Sequence, residues 1–152
     1  MPAYFFDSSA LVKRYHVELG SPAVLQIVDG SSDAILISRL AVAETISAFA
    51  IQVRTQAISW NDADAFQRRF RIDIATGRFE VFSITDAEFS VAELLLSRHA
   101  FNLRLRALDA LQLAVAMALR TRGLVDHFVS ADWTLCEVAV REGFQVINPE
   151  GI

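Results

Sequence analysis

The chain of 152 residues predicts an α/β protein, with helices on both faces of a central parallel sheet in three α/β/α layers. Short apolar runs of strand type alternate with segments of helical length along the whole chain. Such alternation favours parallel pairing through right-handed crossovers. Apolar residues make up 53% of the chain, and no segment is repeated, of low complexity or linker-like. We therefore expect a single domain over 1–152 with a full core.

The amino-terminal part predicts two strands separated by helices. The apolar run 3–7 is a buried strand pattern, and the segment 8–16 that follows at once is typical of a helix. A short helix is expected at 21–28, where Ser21-Pro22 provides an N-cap and a first-turn proline. The apolar run 34–38 then predicts a second buried strand.

Two long helices and a short strand are predicted for the middle of the chain. Ser38 is a candidate cap for a helix over 39–56. An amide or acidic cap at 61 or 62 starts a helix that extends to about 75, and the run 79–82 predicts the next strand.

The carboxyl-terminal part continues the same alternation. Thr85 and the acidic residues after it form a capping arrangement, and Gly123 and Gly143 end two further helical segments. We expect the tail at 148–152 to be loose. The elements predicted here are a helix from 85 or 86 to about 99, a helix at 105–120, a strand within 124–129, a helix at 132–142 and a strand at 144–147.

Composition limits the classes of function. The net charge of 14 − 18 = −4 argues against a general nucleic-acid binder. No apolar stretch is long enough to cross a bilayer, so no membrane partner is expected. Cys136 is the only cysteine, which excludes an internal disulfide and fits a cytoplasmic location. All positive charges except Lys13 are arginines, and arginine suits bidentate contacts with phosphate.

Four acidic residues lie among apolar residues in the sequence. A position on a solvated surface therefore does not explain them well. Asp7 and Asp132 each follow a predicted strand, and ligands bind at the carboxyl edge of parallel sheets. Glu44 shares a helical stripe with small and apolar residues. Asp109 is the only charge in the Ala- and Leu-rich run 107–116. The four side chains are therefore candidates for one shared site.

Each of these carboxylates also has an ordinary explanation. Asp7 and Asp132 are suitable helix N-caps, Asp109 would favour the dipole of its helix, and Glu44 could pair with an arginine. If all four converge, protonation or a divalent cation must relieve their repulsion. A set of oxygen ligands favours Mg²⁺, or Mn²⁺, over Zn²⁺.

Three other families with related patterns do not fit the residues. A receiver domain of a response regulator needs an acidic pair after the first strand and a lysine late in the chain. A phosphatase of the haloacid dehalogenase type needs a second acidic residue where Ser9 stands. A P-loop needs a glycine-rich run before a lysine, and Lys13 has none.

The motifs resemble the PIN domain, and more narrowly the VapC-type toxins of bacterial toxin–antitoxin pairs. The resemblance covers essentially the whole chain. Two positions depart from the commonest pattern: Gln112 stands where the family often has His, and Trp133 where a small, polar or basic residue is more usual. The matching motifs are Phe6-Asp7-Ser8-Ser9-Ala10-Leu11-Val12-Lys13, Ala43-Glu44, Leu108-Asp109-Ala110-Leu111-Gln112-Leu113-Ala114 and Val129-Ser130-Ala131-Asp132.

The resemblance implies a metal-dependent ribonuclease that hydrolyses RNA phosphodiester bonds. Its acidic quartet would be Asp7, Glu44, Asp109 and Asp132, with Ser130 supporting the site. We expect Asp7, Asp109 and Asp132 to hold Mg²⁺ or Mn²⁺, directly or through water, and Glu44 to hold a second metal or to take a proton from the attacking water.

Four further residues are candidates for contacts with the RNA backbone. Ser8 and Ser9 begin a predicted helix, so their backbone N–H groups could face a phosphate, and Ser8 is also expected to support the site. Arg104 and Arg106 lie just upstream of Asp109 and are candidates for contacts with phosphate that are independent of sequence.

The resemblance also implies partners, namely an RNA substrate, a VapB-type antitoxin and a second copy of the chain. The chain has more large apolar side chains than one core obviously needs, including Phe66, Phe70 and Phe101. Such a surplus favours a homodimer. The alternative is a housekeeping PIN nuclease in RNA maturation, or an RNA-binding module that is not a toxin.

Overall fold

The fold is described from a computed structural model, which covers residues 1–151. All strand pairs in its five-stranded sheet are parallel, as predicted. The strands are β1 (Tyr4–Phe6), β2 (Ile35–Ser38), β3 (Phe79–Phe82), β4 (His127–Val129) and β5 (Gln145–Ile147). Their order in the sheet is β3-β2-β1-β4-β5, so β1 is central.

Within residues 1–151, seven α-helices connect the strands. None of those within residues 1–151 is long and apolar enough to span a bilayer. The helices are α1 (Ser8–Leu11), α2 (Ser21–Gly30), α3 (Arg39–Arg54), α4 (Trp60–Ala75), α5 (Asp86–His99), α6 (Ala107–Thr121) and α7 (Trp133–Arg141).

Two apolar clusters lie on opposite faces of the sheet. Phe5 packs in one cluster with side chains of α5, α6 and α7. Phe6 packs in the other with side chains of α1 to α4. Successive residues of a strand point to opposite faces, so each buried strand contributes to both clusters. The predicted three-layer α/β/α architecture is confirmed.

The predicted helix over 8–16 is wrong in its second half. The α-helix ends at Leu11, and Val12–Arg14 form a 3₁₀ turn closed by a hydrogen bond from Tyr15 N to Val12 O. The tighter turn directs Tyr15 into the core, where its hydroxyl donates to Asp73 Oδ2 at 2.6 Å. Partners in α4 thus override the local helical pattern.

The tail is held more firmly than the sequence suggests. Asn148 and Pro149 are buried, and Lys13 Nζ lies 3.1 Å from Glu150 Oε2. Lys13 is itself buried and also contacts Glu18 Oε1 at 3.0 Å. The expectation of a loose tail is therefore wrong over 148–150.

The three phenylalanines expected to exceed the needs of the core differ in their surroundings. Phe70 is fully buried, and Phe66 packs against the cluster on the same face. Phe101 is strongly exposed. Phe101 alone of the three is therefore available to a partner.

The sheet register brings three chain segments together at one edge. Phe6, the last residue of β1, pairs with Ile37 on one side and with Val129 on the other. The residues that follow these pairs, namely Asp7, Ser38 and Ser130, therefore lie at the same level, at the carboxyl ends of their strands.

Candidate active site

Asp7 is held by hydrogen bonds to both of its carboxylate oxygens. Oδ1 accepts from Ser9 Oγ at 2.7 Å and from Ala10 N at 3.1 Å, so Asp7 caps α1. Oδ2 accepts from Ser130 Oγ at 2.8 Å. The side chain is thereby fixed at the end of β1, with the residue only 4% exposed.

Burial raises the pKa of Asp7 from 3.8 to about 7. Hydrogen bonds from Ser9, Ser130 and Ala10 oppose this rise in pKa, and the negative charge of Asp109 adds to it. Burial dominates because three donors replace only part of the hydration that the carboxylate loses. The protein therefore compensates the negative charge of an ionised Asp7 only in part.

Asp132 is joined to Asp7 through Ser130. The hydroxyl of Ser130 donates to Asp7 and accepts from Asp132 N at 3.1 Å. The side chain of Asp132 caps α7 by accepting from Leu135 N at 2.8 Å. Both strand-end aspartates are therefore helix caps, and both also belong to one hydrogen-bonded group.

Asp109 couples electrostatically to the other three carboxylates. It lies in the first turn of α6, and its Oδ2 is 3.6 Å from Arg106 Nε. Burial raises its pKa, the charges of Asp132 and Glu44 raise it further, and Arg106 opposes them. Since Asp109 also acts on Asp7, the structure brings the four predicted carboxylates within one electrostatic environment.

Glu44 is oriented by two side chains from other elements. Its Oε1 accepts from Gln112 Nε2 at 2.7 Å and from Ser8 Oγ at 3.2 Å. Gln112 is buried, and its Oε1 accepts from Ser38 Oγ at 2.6 Å. Ser38 in turn caps α3, the helix that carries Glu44. Gln112 thus contacts both the cap at the start of α3 and the carboxylate of Glu44, six residues further along.

Ser8 occupies the site differently from the sequence expectation. The backbone N–H groups of Ser8 and Ser9 were candidates for phosphate contacts, but α1 has only four residues and the Asp7 side chain caps it. The contact of Ser8 within the site is the bond from its hydroxyl to Glu44.

Sequence reasoning assigned no supporting role to Ser9 or Gln112. Ser9 Oγ donates to Asp7 and accepts from Ala131 N at 2.9 Å. Its position two residues after Asp7 was a usable signal. Gln112 is the only uncharged amide among apolar residues in the middle of α6, which was a second signal.

A cavity of about 380 Å³ opens beside Asp132. Arg104 and Arg106 are both exposed on its wall, as predicted for residues near Asp109. Among residues 1–151, no carboxylate forms a salt bridge with Arg104. The full lining comprises Arg104, Arg106, Ala131, Asp132, Trp133 and Thr134.

The carboxylate oxygens of the acidic residues suit a hard divalent cation, although their side chains are not arranged around a common centre. Within the described residues, no three His, Cys, Asp or Glu side chains form a group that could hold a metal ion. Asp7 and Asp132 direct oxygens to helix N–H groups, and Asp109 faces Arg106. Carboxylate oxygens such as those of Asp7, Asp109 and Asp132 are nevertheless the type of ligand that Mg²⁺ or Mn²⁺ prefers.

The chain resembles proteins of known family in sequence and in structure. The family described as the PIN domain matches residues 4–141. Ribonuclease VapC45 of Mycobacterium tuberculosis is 36% identical over 126 residues, which are 82% of each chain. Two solved structures with lower identity share the fold.

One of these structures is VapC20 of M. tuberculosis, described as a toxin that cleaves the sarcin–ricin loop. Its TM-score is 0.66 at 17% identity, covering 93% of this chain and 96% of that chain. The other is a toxin–antitoxin complex from Klebsiella pneumoniae, with a TM-score of 0.65 at 15% identity over 99% of this chain and 100% of that chain. From the match over residues 4–141 and the sequence identity to VapC45, the chain belongs to the PIN-domain family and, within it, to the VapC group.

Proposed function

We propose that the chain is a Mg²⁺- or Mn²⁺-dependent endoribonuclease and the toxin of a VapBC-type pair. The supporting observation is the group of four coupled carboxylates at the carboxyl edge of the sheet, with Asp7 and Asp109 both raised in pKa by burial and by neighbouring acids. The chain belongs to the VapC group, and its relative VapC45 is named a ribonuclease, which supports RNA as the substrate of this acidic site.

Asp7, Asp109 and Asp132 are the residues that would hold the metal. When bound, a divalent cation lowers the pKa of a water molecule and offsets charge on the scissile phosphate. Ser9 and Ser130 keep Asp7 oriented through bonds of 2.7 and 2.8 Å. Such support fixes a ligand before the metal arrives, which improves the geometry of the site.

Glu44 is the proposed general base. Two donors hold its Oε1, while no residue within 1–151 donates a hydrogen bond to Oε2. Oε2 is therefore the oxygen that would accept a proton from the attacking water. Gln112 and Ser8 act as positioning residues, because they limit the directions in which this oxygen can point.

Arg104 and Arg106 are proposed to contact phosphates of the RNA backbone. Both are exposed beside the acidic group, and guanidinium groups favour bidentate contacts with phosphate. Arg106 already lies close to Asp109. It would therefore partly neutralise the site until substrate and metal bind.

The proposed partners are a VapB-type antitoxin and a second copy of the chain. A structural neighbour from K. pneumoniae is a toxin–antitoxin complex, which supports the first. Strongly exposed Phe101 supports the second. We also propose that 1–152 is one PIN domain that acts in the cytoplasm. Light scattering at micromolar concentration is expected to give a dimer, and a monomer would contradict the homodimer.

Cleavage of total RNA with Mg²⁺ or Mn²⁺, and with a chelator, tests the activity. Asp109→Asn is expected to lose about 10²-fold or more in rate, the scale of removing one group that stabilises the transition state. Asp86→Asn, at an exposed acidic position in the first turn of α5, is the control and is expected to cleave normally. Full cleavage by Asp109→Asn, or equal cleavage in chelator, would contradict the proposed site.

The toxin role is tested in cells. Expression of the chain is expected to arrest growth, and Asp109→Asn is expected to abolish the arrest. Co-expression of the small reading frame directly upstream should relieve it. Metal-dependent cleavage of RNA without growth arrest would instead support a housekeeping nuclease in RNA maturation, and RNA binding without cleavage would support a binding module.

A further inference from the structure

Trp133 exposes an aromatic ring immediately beside the acidic group. It is the first residue of α7 and follows Asp132, whose side chain caps that helix. The residue is 54% exposed, whereas Leu135 and Cys136, two and three positions further along α7, are buried. The exposed indole is therefore not required to fill the core beneath α7.

The surroundings of Trp133 combine an aromatic surface with positive charge. Trp133 lines the cavity of about 380 Å³ together with Arg104 and Arg106. This volume lies within the roughly 300–1,000 Å³ that is usual for sites of small ligands. Asp132 lines the same cavity, so the cavity and the acidic group are continuous.

A nucleotide is the ligand that matches this combination. Its base presents a flat face that stacks on an indole, and this contact tolerates every base. Its phosphate carries the negative charge that the guanidinium groups favour. A base within a duplex is stacked on both sides, so only an unpaired base has a face available for Trp133.

We propose that Trp133 stacks on an unpaired nucleobase of the RNA strand that crosses the acidic group, while Arg104 and Arg106 hold adjacent phosphates. The inference deepens the proposed ribonuclease function and rests on it. Trp133 is a substrate-binding residue that places the scissile phosphate over the carboxylates. Strands whose nucleotide at this position is unpaired are therefore bound in preference to duplex.

Tryptophan fluorescence tests the contact without cleavage. The chain has two tryptophans, and Trp60 lies on α4, away from the cavity. In Trp60→Phe the only indole is Trp133, and a single-stranded oligonucleotide added in chelator is expected to quench it. In Trp133→Phe the remaining indole at 60 should not respond. Equal responses from the two variants, or none from Trp60→Phe, would overturn the proposal.

Steady-state kinetics provides the second arm. Trp133→Ala is expected to raise KM for single-stranded RNA about 10- to 100-fold, the effect of losing one stacked base, with kcat changed less. Trp133→Phe should recover most of this loss because it restores an aromatic face. Trp60→Ala is the matched control, since Trp60 is also an exposed first residue of a helix.

The two arms separate this inference from the proposed activity. If the unchanged chain cleaves RNA and Trp133→Ala keeps its KM, stacking is wrong and the ribonuclease function stands. If RNA quenches the fluorescence of Trp60→Phe but the unchanged chain shows no metal-dependent cleavage, the base contact stands and the enzymatic function fails.

Discussion

At the scale of single residues, Asp7 shows that a helix cap and a catalytic candidate can be the same side chain. Capping requires only that Oδ1 accept from Ala10 N. The additional bonds from Ser9 and Ser130 exceed what a cap needs. Despite these donors, burial still raises the pKa of Asp7 to about 7. The pKa of an ordinary N-cap aspartate on a solvent-exposed helix would not be raised by burial in this way.

The raised pKa of Asp7 makes stability depend on pH when no metal is present. Since the folded state binds the proton more tightly than the unfolded state, stabilisation is complete below about pH 4 and is lost as pH rises through about 7. The free energy of unfolding in chelator is expected to fall over this range, by at most about 4 kcal/mol from Asp7. Asp109, whose pKa is also raised, acts in the same direction.

Urea unfolding of Asp7→Asn at several pH values measures this effect. The free energy of unfolding of the variant should decrease much less as pH rises. In chelator above neutral pH, the variant should be more stable than the unchanged chain. Added Mg²⁺ should stabilise the unchanged chain and have little effect on the variant. Asp33→Asn, at an exposed position, is the control. A variant that is less stable at every pH would show that capping dominates the role of Asp7.

At the scale of elements, the positions of the acidic residues followed from local patterns, but the bond that Gln112 makes to Glu44 did not. Asp7 and Asp132 follow apolar runs, and parallel strands end at a common edge, so their proximity follows from local pattern. Asp109 was identified by its isolation in an apolar helix. Gln112 joins α6 to α3, contacting Glu44 across 68 positions of sequence. Helical periodicity contains no information about such a bond between elements.

The same limit explains the incorrectly predicted elements. The 3₁₀ turn at 12–14 depends on the bond from Tyr15 to Asp73 in α4. The ordered tail depends on the ion pair between Lys13 and Glu150. Both are contacts between distant segments, whereas the strand and helix patterns that predicted the fold are local.

Replacing Gln112 by glutamate tests the link between α6 and α3. The substitution keeps the shape but places a second carboxylate where Nε2 now lies 2.7 Å from Glu44. Below about pH 5 one shared proton should preserve the contact, and above it the two charges should repel. We expect stability to fall by roughly 1–3 kcal/mol between pH 5 and 8, together with a lower kcat for RNA.

Gln145→Glu is the matched control, because Gln145 is exposed at the start of β5. Its pH profile of thermal unfolding should follow that of the unchanged chain. If Gln112→Glu shows the same profile and the same kcat, Gln112 does not position Glu44 and the assignment of Glu44 as general base loses its structural support.

At the scale of the whole molecule, the site lies between two apolar clusters that share one sheet. Asp7 lies between β1 and α1, and α1 packs in the cluster with α3 and α4. Asp109 lies on α6 and Asp132 caps α7, and both of these helices pack in the other cluster. The carboxylates therefore keep their relative positions only if both layers are folded together. The proposal that the chain is one domain therefore means that the two layers fold and unfold together.

The two tryptophans allow this cooperativity to be measured, since each reports on a different layer. Trp60 lies on α4 and Trp133 on α7, on opposite faces of the sheet. Because Phe5 and Phe6 are neighbours in β1 yet pack in different clusters, loss of one layer would expose the strand that supports the other. Urea transitions followed by fluorescence in Trp60→Phe and Trp133→Phe are expected to coincide with each other and with far-UV circular dichroism. Midpoints that differ after correction for the stability of each variant would show that the layers unfold separately. The acidic group would then be assembled by docking of two units, and its integrity would depend on the weaker one.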